Sequence, residues 1–474
     1  MPTVAIVGGR VIDPASSTDA VANVRIVDGV VAEVTSGDLP DHAQDIVIDA
    51  TGRVVCPGFV DVHVHAHDHL TQSLMVRNGV TTALELELGS AEVPAFNERL
   101  TGRSLVHFGA SAGYGYLRTL VQTGITQSKF DTALPESEVA RLEELARERV
   151  EPADVRRVHD LVAEQLEAGA IGIGLGLEYV QGADQVEVLE LFEQAARLGA
   201  AVFVHTREWP NADRGTPLGA MQEVIACAAS TGAHAHICHV SSKGLDDTPA
   251  ILRAIAGARV RGVPLSVEVP SVAGATGKIG SALFSEGWTK RWNCDYSALE
   301  WPPTGERLDQ ATFERLRAEQ PTALVMKHIT PESAVEVALQ DPTVIVASDA
   351  VPVAGGQAGN PRAGATFSRV LGHYVRERGL LSLSDAIWKM TLGPAKLLEP
   401  MCADAARKGR LTHGADGDVV VFDPTVVAVR ATVQQPDAAP VGISDVLVAG
   451  EPVVRAGELI DGVHPGRALR GRLR

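Results

Sequence analysis

From about residue 55 to residue 403 the chain repeats one unit, an amphipathic stretch with helical spacing followed by a short apolar run. VRRVHDLVAEQLEAGA carries apolar side chains at 155, 158, 161, 162 and 166, which form one stripe on a helix. It leads into AIGIGLGLEYV, as EVLELFEQAARLGA leads into AVFVHT, PLGAMQEVIACAASTGA into HAHICHV, and PAILRAIAGARVRG into VPLSVEV. A strand that is apolar throughout is buried on both faces, and alternation with helices is how a parallel sheet is wound. Eight such strands are expected, ending near His65, Glu87, Ala112, Tyr179, His205, His239, Val269 and Asp349. Eight units predict an α/β chain closed into a TIM-like (β/α)8 barrel. Residues 271–340 exceed one unit and read as an insertion ahead of the last strand.

Both ends of the chain have a different texture. VAIVGGRVIDP, ANVRIVDGVVAEV and QDIVIDATGRVV, and at the other end GDVVVFDP and ISDVLVAGEPVVRAGELI, are short alternating runs between turn residues. Gly8-Gly9 and Asp28-Gly29 read as hairpin turns. A small β-sandwich assembled from both termini is expected, dividing the chain into 1–54, 55–403 and 404–474. With 45% hydrophobic and 21% charged residues, a large ordered core is expected. The formal charge of −17 repels polyanions, so nucleic acid is not an expected partner. The five cysteines form no CxxC pair, which argues against a disulfide framework and fits a reducing, cytoplasmic setting. No leader pattern opens the sequence and no apolar run is long enough to cross a membrane, so no membrane partner is expected. Self-association into a homo-oligomer is left open.

In a parallel barrel the strand C-termini open on one face, and that is where reactive groups gather. FVDVHVH places His63 and His65 two apart, on the same side of one strand. His205 closes the fifth strand, His236 and His239 the sixth, and Asp349 the eighth. His236 and His239 are three apart, which on a regular strand points them in opposite directions, and His239 is the chosen ligand because it is nearer the strand end. In TTALELELG, Glu85 and Glu87 alternate with leucines, and two glutamates buried in a barrel need a partner. Glu87 is the expected metal ligand, placed to bridge two ions, with Glu85 as the fallback. His67 and His69 read as loop residues and His234 as surface. Imidazoles with carboxylates suit zinc, as one or two divalent ions.

PGFVDVHVH (57–65) closely resembles the first-strand signature of the amidohydrolase superfamily, as do GRVVCPGF and KGRLTHGADGDVVVFDP around it. Residues 174–208, HICHVSSKG (236–244) and 360–391 are similar to the D-aminoacylase group, the N-acyl-D-amino-acid deacylases. The resemblance covers nearly the whole chain. It implies His63 and His65 for one metal position and His205 and His239 for another, with Asp349 as general acid/base. It also implies Tyr179, Lys243 and Arg362 around a substrate carboxylate, and a small N-acyl or amide substrate as the partner. Three departures stand out: no cysteine at the end of the second strand, Val269-Pro270-Ser271 where the group has Tyr-Pro-Tyr, and Asn360 where it has histidine. Cyclic-amide hydrolases of the superfamily use a carboxylated lysine on the fourth strand, and AIGIGLGLEYV has none. A one-metal deaminase of an amino-heterocycle would use the same histidines and aspartate. The expected reaction is hydrolysis of a linear C–N amide bond.

Overall fold

A computed structural model describes residues 3–39, 46–126, 136–207 and 217–472. Eight strands, Phe59–Asp61, Val80–Ser90, His107–Gly113, Ile173–Gly176, Ala201–His205, His234–Ile237, Leu265–Val269 and Val344–Val346, lie side by side in chain order. Every neighbouring pair is parallel. They are called the first to eighth barrel strands below. The seam between the first and the eighth is closed by little backbone pairing: Val64 bridges Ala350, and Asp349 N donates to His63 O at 2.8 Å. His65 N also donates to Ala350 O at 2.7 Å, and the Asp61 carboxylate accepts from Ser348 N across the seam at 3.0 Å and from His63 N at 3.2 Å.

Helices such as Pro152–Glu167, Gln185–Leu198 and Pro217–Thr231 precede the strands they cover, as the periodicity predicts. Val158, Val162, Leu191, Phe192, Met221 and Val224 pack against Ile173, Leu175, Val202 and Val204 in one buried cluster. A second cluster holds Val60, Val62, Phe203, Cys238, Ile345 and Ala347. Leu84 and Leu86 belong to it, so a simple leucine-out, glutamate-in alternation does not describe the second strand. Its pairing with the third shifts register between Glu85 and Ser90, which breaks the two-residue period there.

Residues from both termini form one nine-stranded sheet, joined where Val54–Pro57 runs antiparallel to Val419–Phe422. Asp28-Gly29 does form a tight turn, with positive φ at both residues (51° and 81°) between strands Thr18–Val27 and Val30–Thr35. Gly8-Gly9 does not. Strand Val4–Asp13 runs through it, and its register against the next strand slips between Ile6 and Gly9, so the pair makes a β-bulge. Between the seventh and eighth barrel strands lies a four-stranded antiparallel sheet with its own aromatic core of Phe284, Trp288, Trp292 and Phe313. Helix Glu332–Gln340 then leads into the eighth strand. No helix among the described residues is long and apolar enough to cross a membrane.

A buried polar junction ties the terminal sheet to the barrel. Asp418 accepts from Lys408 Nζ at 2.7 Å, His107 Nε2 at 3.1 Å and Ala449 N at 2.7 Å. Burial would raise the Asp418 pKa, but Lys408 and His107 outweigh it and hold the carboxyl far below its usual range. A depressed folded-state pKa adds stability above the unfolded value of about 3.9, and that stability is lost as the pH falls below it. Lys408→Met should cost about 3–5 kcal/mol at neutral pH, because Asp416 and Asp418 lose their buried cation. Urea titrations at pH 7 and pH 3.5 should show the variant's deficit shrinking in acid.

Candidate metal centre

Four imidazoles meet at the C-terminal mouth of the barrel because four strand ends deliver them there. His63 and His65 follow the first strand, His205 ends the fifth, and His239 lies two residues beyond the sixth. His239 has φ of 35° and Asp349 φ of 52°. Side chains with this left-handed backbone are uncommon and cost about 1–3 kcal/mol, so both are held by their surroundings. The turn at His239 also corrects the facing argument. His236 and His239 are both buried in the barrel, because His239 no longer follows strand alternation. His236 is held at Nδ1 by Ser266 Oγ (2.7 Å) and at Nε2 by Glu268 (3.0 Å), leaving His239 in the cluster.

Glu87 sits at the middle. Its Oε1 lies 2.6 Å from His205 Nδ1 and 2.7 Å from His239 Nε2. Its Oε2 lies 3.3 Å from His63 Nε2 and 3.1 Å from His65 Nε2. Asp349 Oδ1 is 3.5 Å from each of those two nitrogens. Three more carboxylates hold the far sides of the rings. Glu268 bonds His63 Nδ1, Glu85 bonds His65 Nδ1 at 3.0 Å, and Glu178 bonds His205 Nε2. Each bond leaves the opposite nitrogen facing the centre, the usual way a ligating imidazole is oriented.

The residues expected around a substrate carboxylate are also near. The Lys243 ammonium bonds Glu178, and the Tyr179 ring lies against His205 with centroids 4.9 Å apart. Arg362 is buried, and its Nη1 bonds Asp349 Oδ2. Its Nε and Nη2 have no partner among the described residues. Glu85, the fallback, faces the same cluster from its outer side. Glu178 and Glu268 were not anticipated. The Glu268 signal was present, since a glutamate in the apolar strand LSVEV raises the same question as those in LELEL. Glu178 lay in the quoted GLGLEYV, beside Tyr179. His67 is indeed in a loop and half-buried, and His234 is half-buried on the sixth strand with Nε2 on Ser266 Oγ at 2.8 Å.

The donor set fits divalent cations. Five carboxyl groups (Glu85, Glu87, Glu178, Glu268, Asp349) face two cationic side chains (Lys243, Arg362), a formal excess of three negative charges if the imidazoles are neutral. Glu87, His205 and His239, and likewise His63, His239 and Asp349, offer ligand atoms within 4.8 Å of one another. Burial would lower the His63 pKa, but Glu87, Glu268 and Asp349 outweigh it and hold it well above the ordinary value. His65 is raised likewise by Glu85, Asp349 and Glu87 against burial. Burial would raise Glu87, and His63, His205 and His239 hold it well below the carboxylate range.

A parallel barrel whose mouth gathers imidazoles and carboxylates in this way is built for divalent metal ions, and its kinship makes it a hydrolase of carbon–nitrogen bonds other than peptide bonds. The chain belongs to the amidohydrolase family, whose profile matches residues 108–454. It is 30% identical over 493 residues to an N-acyl-D-glutamate deacylase of Alcaligenes xylosoxydans xylosoxydans, covering 98% of this chain and 96% of that one. A D-aminoacylase of the same organism is 28% identical over 491 residues, with the same coverage. Among solved structures, an N-acyl-D-glutamate deacylase of Bordetella bronchiseptica, in complex with zinc and a phosphonate mimic of the tetrahedral intermediate, superposes with a TM-score of 0.78. It is 26% identical, and 99% of each chain is covered.

Loading the centre with a cation must displace whatever protons its imidazoles carry, and the carboxylates around His63 and His65 favour their protonated forms. Calorimetric zinc titrations in two buffers of different ionisation enthalpy should report about one to two protons released per chain at pH 7. Zero release would show that neither imidazole is protonated before the ion binds.

Proposed function

We propose that the protein hydrolyses N-acyl-D-amino acids, or close relatives that carry a free carboxylate, with zinc as the working ion. The observation that carries this reading is the free edge of Arg362. A buried guanidinium that presents Nε and Nη2 without partners, next to the catalytic cluster, is a fork shaped for a bidentate carboxylate. The kinship to deacylases of N-acyl-D-amino acids supports it. The fourth strand, Ile173–Gly176, has no lysine to carbamylate, which weighs against a cyclic-amide hydrolase.

His63, His65, Glu87, His205 and His239, with Asp349 at the edge, would hold the ions. The chemistry a divalent ion would supply there is a bound water acidic enough to attack at neutral pH and a positive charge beside the substrate carbonyl oxygen. The protein supplies the rest. Burial would raise the Asp349 pKa, but Arg362 and His63 hold it well below the usual carboxylate range, so Asp349 is ionised and able to take the attacking water's proton. Delivered to the amide nitrogen, that proton lets the amine leave. Arg362 would fix the substrate carboxylate, with Lys243 and Tyr179 flanking it. Five unpaired cysteines, four of them buried, agree with a cytoplasmic home.

Zinc-loaded protein assayed against N-acyl-D- and N-acyl-L-amino acids should release free D-amino acids, and inactivity across the D series would refute the proposal. Asp349→Asn should lower kcat by about 10²–10⁴-fold with the fold intact. Arg362→Met should raise KM for carboxylate-bearing substrates far more than for neutral N-acyl amines.

A further inference from the structure

Away from the barrel mouth, a groove runs where the first barrel helix, His69–Arg77, meets the sheet built from the termini. It holds about 640 Å³, within the range of about 300–1,000 Å³ that small ligands occupy. Its apolar lining includes Val426, Pro440, Val441 and Ile443. Val426 and Val441 are 53% and 37% exposed, and a third exposed valine, Val47, lines an adjoining groove that shares Arg53. Seven large apolar side chains are exposed among the described residues, so three of them beside one depression is a concentration. Exposed apolar surface gathered into a concavity marks a place where something binds.

The polar lining has the sign opposite to the chain as a whole. Three guanidiniums, Arg53, Arg77 and Arg430, line the groove with two carboxylates, Asp423 and Glu458, in a protein of formal charge −17. Both acids are engaged. Asp423 accepts from Thr425 N at 2.8 Å and from Thr425 Oγ1 at 2.6 Å, and Glu458 pairs with Arg77 at 3.1 Å. The arginines keep donors free. Arg430 is exposed and enters no ion pair among the described residues. Arg77 Nη2 donates to Gly457 O at 3.0 Å, but its Nε is buried without a partner among the described residues. Arg53 reaches Asp445 only at 3.8 Å, and that acid is already held by Arg455 at 2.9 Å. Free guanidinium N–H groups beside hydrocarbon suit a carboxylate that carries an apolar body.

One wall of the groove comes from residues 423–442, which also brace the loop leading to Arg362. The segment is pinned to itself by paired bonds between Ala428 and Val441, at 3.0 and 3.1 Å. Gly359 N donates to its Val433 O at 2.7 Å, and Gly356 N to its Asp437 Oδ2 at 3.0 Å. A ligand that stiffens this wall therefore stiffens the approach to Arg362 as well.

We propose that the groove is a ligand site in its own right, sharing no residue with the metal centre, for a small carboxylate with an aliphatic body.

Octanoate is the probe. Calorimetry with zinc-loaded protein should show one saturable equivalent that Arg362→Met, at the barrel mouth, leaves in place. Arg430→Glu and Val441→Asp should each weaken it about 10–100-fold, the span of a lost charge-assisted hydrogen bond. Thermal unfolding checks that all three variants fold. Octylammonium lacks the negative charge and inorganic phosphate lacks the apolar body, so each should bind at least about 10-fold more weakly. With octanoate bound, hydrogen exchange should slow in peptides covering 423–442 and 356–362. Four results would overturn the proposal: no saturable binding, binding indifferent to both groove variants, equal binding of octylammonium or phosphate, or slowed exchange confined to the strand ends at the barrel mouth. The metal-hydrolase reading would stand in each case.

Discussion

A single buried carboxylate organises the mouth of this barrel. Glu87 lies within about hydrogen-bond reach of four imidazoles, and no other residue among those described is recorded against all four. A charge so deeply buried is untenable without compensation, and the compensation dictates what surrounds it. The imidazoles need their outer nitrogens satisfied, which accounts for Glu268, Glu85 and Glu178. Those acids add further negative charge, which Lys243 and Arg362 offset only in part. The cluster is therefore a chain of electrostatic obligations that ends at a demand for cations. The terminal sheet meets the same kind of obligation locally, with Lys408 and His107 neutralising Asp418, and so needs no ion.

Much of the architecture was legible because it follows from periodicity. Helical stripes alternating with apolar runs are a consequence of winding a parallel sheet, and all eight strands lie where the pattern places them. The strand-end histidines and Asp349 were readable for a related reason: a polar group at the end of a buried strand has few places to go. What escaped reading depends on backbone conformation and on contacts between strands. The left-handed turn at His239 cannot be deduced from its spacing to His236, so the facing argument picked the histidine that lies in the cluster for an incomplete reason. Gly8-Gly9 looks like a hairpin turn in sequence, yet only cross-strand register reveals a bulge. The break in alternation along LELEL has the same character, since it arises from how the second strand pairs with the third.

Replacing a cysteine by Glu87 at this point of the barrel changes more than one ligand atom. A thiolate offers a single donor, whereas a carboxylate has two oxygens about 2.2 Å apart that can serve separate ions. That is how the histidines come to be sorted into two pairs here. The family's carboxylate-binding set is altered too. With Ser271 in place of a tyrosine, the hydroxyl donates to Thr366 O at 2.7 Å and faces the supporting helix rather than a substrate. On the proposed reading, recognition of the carboxylate would fall more heavily on Arg362, which is also the residue that pairs with Asp349.

The seam of the barrel gives this arrangement a mechanical character. Seven of the eight junctions are knitted by backbone ladders, but the eighth strand, just beyond which Asp349 lies, is fastened to the first by two backbone bonds and the Asp61 side chain. Few main-chain bonds mean a low local opening free energy. The Asp349 carboxylate thus hangs beside the junction of the cylinder with the fewest main-chain bonds. On warming, such an enzyme should lose the alignment of its chemistry while most of its scaffold is still intact.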